Sequence, residues 1–214
     1  MSDRCLIIAC GALAREIIQL KSSNHWSHLD VECLSASLHN RPQEIPARLA
    51  EKLEAARGKY DRILVGYADC GTAGKIDELI ARENNVSRLS GPHCFSSFAG
   101  ADRYEAMMED EPGTFWLTDF LARHFETMVL KPLKLDLHPE LVDAYFGNYQ
   151  RLNYLSQFPT RTCSKQQKQL RCTLICSLPT YPQATVNSNN LSSGAPHETH
   201  IDLLARHPLA NHHQ

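Results

Sequence analysis

The stretch that most narrows what this chain can fold into runs from Arg62 to Gly74, Arg-Ile-Leu-Val-Gly-Tyr-Ala-Asp-Cys-Gly-Thr-Ala-Gly. A short apolar run of this length, stopped by a glycine-rich turn and followed by a helical pattern, reads as a buried strand feeding a helix. Three other runs behave the same way. Residues 5–9 lead into Cys10 and Gly11, residues 31–34 lead toward His39, and residues 86–89 lead to Gly91, Pro92, His93 and Cys94. Between them, Leu13, Ile17, Ile18 and Leu20 repeat at helical spacing, as do Ile45, Leu49, Leu53 and Ala56, and then Ile76, Leu79 and Ile80. Gly58 supplies a stop for the second of these helices.

Strand and helix therefore alternate from residue 5 to residue 89. That order predicts an α/β fold: a mostly parallel, open, Rossmann-like sheet with helices on both faces and right-handed crossovers. Further on, residues 101–108 read as a short helix, 109–113 as an acidic turn, 117–130 as a longer helix, 141–146 as another helix and 149–155 as a strand. Asp119 and Arg123 have the spacing of a surface ion pair, and His124 reads as an ordinary helix histidine. Cys5 and Cys33 fall inside strands and read as core.

Beyond residue 158 the pattern breaks. The last 56 residues carry a single aromatic, Tyr181, and a polar run from 187 to 195. The expectation is one α/β domain over 1–157, shortened at its C-terminal end, and an irregular or disordered tail over 158–214. A strand at 149–155 would ordinarily be followed by an amphipathic helix, and one choice of codons for 161–173, read two nucleotides on, encodes such a helix. The reading is that the tail is out of frame or a diverged terminus, so Cys163, Cys172 and Cys176 carry no site.

Composition sets limits. With 22 basic and 24 acidic residues the chain is near neutral, which gives no basis for a nucleic-acid or membrane-surface partner. No apolar run approaches a membrane span, and the N-terminal segment is too short for a signal peptide; the expected compartment is the cytoplasm. There are eight cysteines and no Cys-x-x-Cys pair, so zinc ribbons and thioredoxin-type motifs find no support. In a reducing cytosol these thiols are expected to be free.

In open sheets of this kind ligands bind beyond the carboxyl ends of the strands. Cys10, His39, Cys70, His93 and Cys94 all fall there. Thiolates and imidazoles suit zinc or another thiophilic metal, and these five residues are the expected ligands. A thiolate at Cys10 is expected to gain from the start of the helix after it. Arg41, Asp69, Gly71 and Thr72 are the expected ligand-binding residues: a guanidinium for a carboxylate or phosphate, and a turn of small residues whose amides can approach an anion. The turn is neither a dinucleotide fingerprint nor a Walker loop.

Six motifs together are specific: Cys-Gly-Ala-Leu-Ala-Arg-Glu at 10–16, Leu-His-Asn-Arg-Pro at 38–42, Gly-Tyr-Ala-Asp-Cys-Gly-Thr at 66–72, Gly-Pro-His-Cys-Phe at 91–95, Glu-Pro-Gly-Thr-Phe-Trp-Leu-Thr at 111–118 and Tyr-Phe-Gly-Asn-Tyr at 145–149. Through them the chain resembles, over about residues 3–157, a bacterial and archaeal family known only as a domain of unknown function. The tail departs from it. The resemblance implies a setting near corrinoid proteins and their methyltransferases, which are the expected partners. Three functions remain open: a metal-binding protein accessory to corrinoid-linked one-carbon metabolism, a cofactor-free racemase-like enzyme using Cys10 and Cys70 on a small carboxylate, and a non-catalytic accessory module.

Overall fold

The structure is a computed structural model and describes residues 4–110 and 112–155. The tail expected over 158–214, with its three cysteines and its suspected frame change, lies outside the described residues. The described chain divides into two compact units, which meet at residues 100 and 101. Each is treated by itself.

The first unit is the expected α/β fold. Its strands are β1 (Cys5–Cys10), β2 (Leu29–Leu34), β3 (Arg62–Gly66) and β4 (Val86–Arg88). They form one sheet in the order β2-β1-β3-β4, and every pairing is parallel. The helices between them are α1 (Ala14–Ser23), α2 (Ile45–Ala56) and α3 (Lys75–Ile80). Right-handed crossovers put α1 on one face and α2 with α3 on the other, and α2 packs against α3. The burial pattern explains why the strands read as continuous apolar runs. All six residues of β1 are buried, because a central parallel strand is covered on both faces.

Ile8, Val65, Ile45, Leu49, Ile76 and Leu89 are fully buried and fill the space between the sheet and its helices. Gly58, at φ +72°, ends α2 as the sequence predicts. Cys33 departs from expectation: it is exposed, not core. It sits on β2, the edge strand on that side of the sheet among the described residues. One helix went unread. Cys94–Ala99 forms α4, although Gly91 and Pro92 signal only a loop.

The second unit corrects the sequence reading more strongly. Helix α5 spans Ala101–Asp110 and takes in Glu109 and Asp110, which were expected in an acidic turn. The long helix expected over 117–130 is not one element. Thr114–Thr118 is strand β5, Asp119–Arg123 is helix α6, and Glu126–Leu130 is a wide helical turn. The β-branched and aromatic residues of Thr-Phe-Trp-Leu-Thr favour a strand. Thr118 then caps α6 by accepting a hydrogen bond from the Leu121 amide at 3.3 Å.

Helix α7 is Val142–Phe146, and β6 (Arg151–Leu155) pairs in parallel with β5 as a separate two-stranded sheet. Asp119 is not at the surface, where its ion pair with Arg123 was expected. It is buried and accepts a hydrogen bond from the Tyr154 hydroxyl at 2.5 Å, while Arg123 donates to its backbone oxygen at 3.0 Å. His124 was expected inside a helix but is exposed just past the end of α6, as its C-terminal cap, with its ring packed on Phe120.

Close packing of the first sheet turns on Gly66, which pairs with Ala9. A Cβ there would lie 2.7 Å from the Ala9 Cβ. Gly66→Ala is therefore expected to lower stability by about 1–3 kcal/mol, the usual cost of overpacking. Urea denaturation followed by far-UV circular dichroism measures it, and an unchanged midpoint would show that the two strands can move apart freely.

Candidate thiol site at the sheet's carboxyl rim

The order β2-β1-β3-β4 sends the chain one way after β1 and the other way after β3. The loops following these two strands therefore part, which is where open sheets form a ligand crevice. Cys10 ends β1, and Cys70 lies four residues past the end of β3. Two backbone bonds bring in the third loop. The Asp69 amide donates to the Gly91 carbonyl at 3.1 Å and the Cys70 amide to the Pro92 carbonyl at 2.9 Å, continuing the β3–β4 pairing past the strands. Gly71 lies beside Pro42, a Cβ there falling 3.5 Å from the proline ring, so the 38–42 loop borders the same rim.

The turn after β3 is tightly wound. Cys70, Gly71, Ala73 and Gly74 have φ of +49°, +81°, +53° and +81°. For Cys70 and Ala73 this left-handed conformation costs roughly 1–2 kcal/mol per residue. Asp69 holds it in place. Its carboxylate accepts from the Gly74 amide at 2.7 Å, from the Thr72 hydroxyl at 3.1 Å and from the Ala73 amide at 3.3 Å. These bonds, the Gly74 amide first, keep the Asp69 carboxyl below the usual carboxylate range. Thr72 is buried and its hydroxyl also bonds the Asp69 carbonyl at 2.8 Å. In this structure both residues spend their polar groups on the turn itself. Arg41 is exposed and pairs with Glu44 at 3.0 Å.

Among the expected ligands, Cys10, Cys70 and Cys94 are electrostatic neighbours. The Cys94 thiol, first, and the Cys94 and Ala68 amides lie close enough to the Cys70 sulfur to draw it below an ordinary thiol. Cys94 is pushed well up, by the Cys70 sulfur and then by burial. Cys10 was expected to be lowered by its helix start. Burial dominates instead and raises it. His39, in the short 3-10 helix Ala36–Asn40, and His93, just ahead of α4, are both exposed. Crowding around its ring, and then the charge of His93, hold His39 below the usual imidazole range. Among the described residues, no group of three or more His, Cys, Asp or Glu side chains is arranged to hold a metal ion.

The sequence reading missed Tyr67. It is 2% exposed, and its hydroxyl is buried without a hydrogen bond of good geometry, facing the Cys10 sulfur. Burial, and then the neighbouring cysteines, push its phenol far up. The available signal was period-2 alternation: Val65 and Tyr67 share a face of the strand. Arg88, which donates from Nε and Nη2 to the two Asp77 carboxylate oxygens at 2.5 and 2.7 Å, also lies within the field of Asp69 and Cys70.

The family described as "Protein of unknown function (DUF1638)" matches residues 33–179. The chain belongs to this family. Its match starts after the Cys10 motif and takes in the turn at 66–74, the loop at 91–95 and residues past 157. No curated protein and no solved structure matches the chain.

Two measurements follow from the geometry. Alkylation by iodoacetamide across a pH series, read by peptide mapping, is expected to modify Cys70 at lower pH than Cys94. Cys94→Ala should move the Cys70 profile to higher pH. Identical profiles for the two cysteines would contradict the unequal pair. The second concerns Asp69. A carboxyl depressed in the folded state stabilises above its unfolded value near 3.9 and loses that contribution as pH falls through the folded value. Asp69→Asn should therefore cost about 1 kcal/mol at neutral pH, as lost caps do, with the difference from wild type closing in acid. Denaturant melts at pH 7 and pH 3 provide the check.

Proposed function

We propose that the rim of the four-stranded sheet binds a thiophilic metal ion, zinc by its donor chemistry, through Cys70 and Cys94 with Cys10 as the third sulfur. One observation supports this above others: sulfurs from three separate loops lie within each other's field at the point where the sheet's connections diverge. Thiolate is the ligating form, and Cys70 already favours it. Cys94 and Cys10 release their protons as the ion enters. Because no three-donor group stands preassembled among the described residues, loading draws the sulfurs together. Three thiolates leave a tetrahedral ion one open position. A group bound there would give the Tyr67 hydroxyl the acceptor it otherwise lacks. His39 and His93 then line the approach. The partner that goes with this reading is a corrinoid protein or its methyltransferase, in the cytoplasm, as the family resemblance implies.

A metal-free alternative draws on a different observation, the unequal state of the thiols. Cys70, drawn below an ordinary thiol, and Cys10, raised by burial, differ in the sense that the base and acid of a two-cysteine racemase must on either side of a carbon acid. Arg41 or the Gly71 turn would hold the substrate carboxylate. Solvent deuterium exchange into a small carboxylate by chelator-treated protein would favour it.

The deciding experiment is metal analysis of anaerobically purified chain. Near-stoichiometric zinc is expected, falling to background in Cys70→Ser and Cys94→Ser and weakened in Cys10→Ser. Protein that folds, contains no metal and takes up none on titration would reject the proposal.

A further inference from the structure

Cys70 and Cys94 are 24 positions apart in the chain, yet their loops are paired and each sulfur lies within the other's electrostatic reach. Their approach is built rather than incidental. Asp69 and Cys70 are tied by backbone bonds to Gly91 and Pro92, immediately ahead of His93 and Cys94. On the other side Ser96 donates to the His93 carbonyl at 2.8 Å, which fixes the start of α4. The Cys70 backbone sits in the left-handed region, a conformation that a non-glycine residue keeps only where its surroundings impose it. Here the imposing group is the Asp69 carboxylate, with its three bonds within the turn. Cys70 is partly exposed, so a reagent from solvent can reach it.

We propose that Cys70 and Cys94 are a redox dithiol that exchanges with small-molecule disulfides, Cys70 as the attacking sulfur and Cys94 as the resolving one. Cys70 gives its proton to solvent and its sulfur attacks one sulfur of the reagent. The reagent's S–S bond breaks, and half of it leaves as a thiolate that takes up a proton. A mixed disulfide remains on Cys70. Cys94 then loses its proton and attacks the Cys70 sulfur, expelling the second half of the reagent as a thiol. The chain has lost two thiol hydrogens and two electrons, and the disulfide has been reduced to two thiols. Intracellular disulfides of this transient kind are usually catalytic or redox-sensing. The inference needs no metal at the site. Where a metal is bound through the same two sulfurs, oxidation removes both ligands at once.

The test uses the full chain, reduced, chelator-treated and anaerobic, with oxidised glutathione as the probe. After acid quenching and alkylation of free thiols, peptide mapping by mass spectrometry locates each bond. The expected product is a link between the Cys70 and Cys94 peptides that dithiothreitol reverses. Cys94→Ser should accumulate glutathione on Cys70, and a change at the exposed Cys33, Cys33→Ser, should form the link as wild type does. A link from Cys70 to Cys10 or to a tail cysteine, or stable glutathione on Cys70 of the wild-type chain, overturns the assignment. The wild-type map decides the matter even if a variant fails to fold. A chain that contains no zinc but forms the Cys70–Cys94 link rejects the metal reading alone.

Discussion

Everything at the rim depends on β1 lying between β2 and β3 with all three strands parallel. A parallel sheet puts every strand's carboxyl end on one side, so each following loop is delivered to the same edge. Placing the first strand inside the sheet makes the next two crossovers leave in opposite directions, and the edge opens between them. The apolar filling of β1 and the missing side chain of Gly66 allow that close pairing. Cysteines far apart in the chain meet because of this topology, and no short motif holds them together.

Within that frame, the turn after β3 separates support from reactivity. Asp69 and Thr72 direct their polar groups back into the turn, and Cys70 is left with its sulfur toward Cys94. Burial then differentiates the thiols. Burial raises Cys10, the Cys70 sulfur and then burial raise Cys94, and the Cys94 thiol beside it draws Cys70 down. Such graded acidity comes from ordinary effects, desolvation against hydrogen bonding, acting over a small distance.

Much of the first unit could be read from the chain. Continuous apolar runs are legible as covered parallel strands, and glycines at 58, 71 and 74 mark turns that only positive φ permits. The second unit resisted because Leu117 to Leu130 has a helical pattern, while Thr114 to Thr118 has a strand composition that only the pairing with β6 decides. At the rim, spacing along the sequence placed Cys10, Cys70 and Cys94 together. It had no means to show that Asp69 is occupied by its own turn. Nor could it weigh burial against a helix start at Cys10, since burial depends on what packs above the sulfur. Tyr67 was passed over because a tyrosine at a strand end is commonplace until its hydroxyl is found without a good partner.

The left-handed backbone at Cys70 has an evolutionary side. Glycine would occupy that position with less strain, so a single change there removes the sulfur while relaxing the loop. A selection scored on yield or heat resistance alone would drift toward that change. A cysteine there is conformationally disfavoured, and its sulfur is all that it offers over the glycine that would fit.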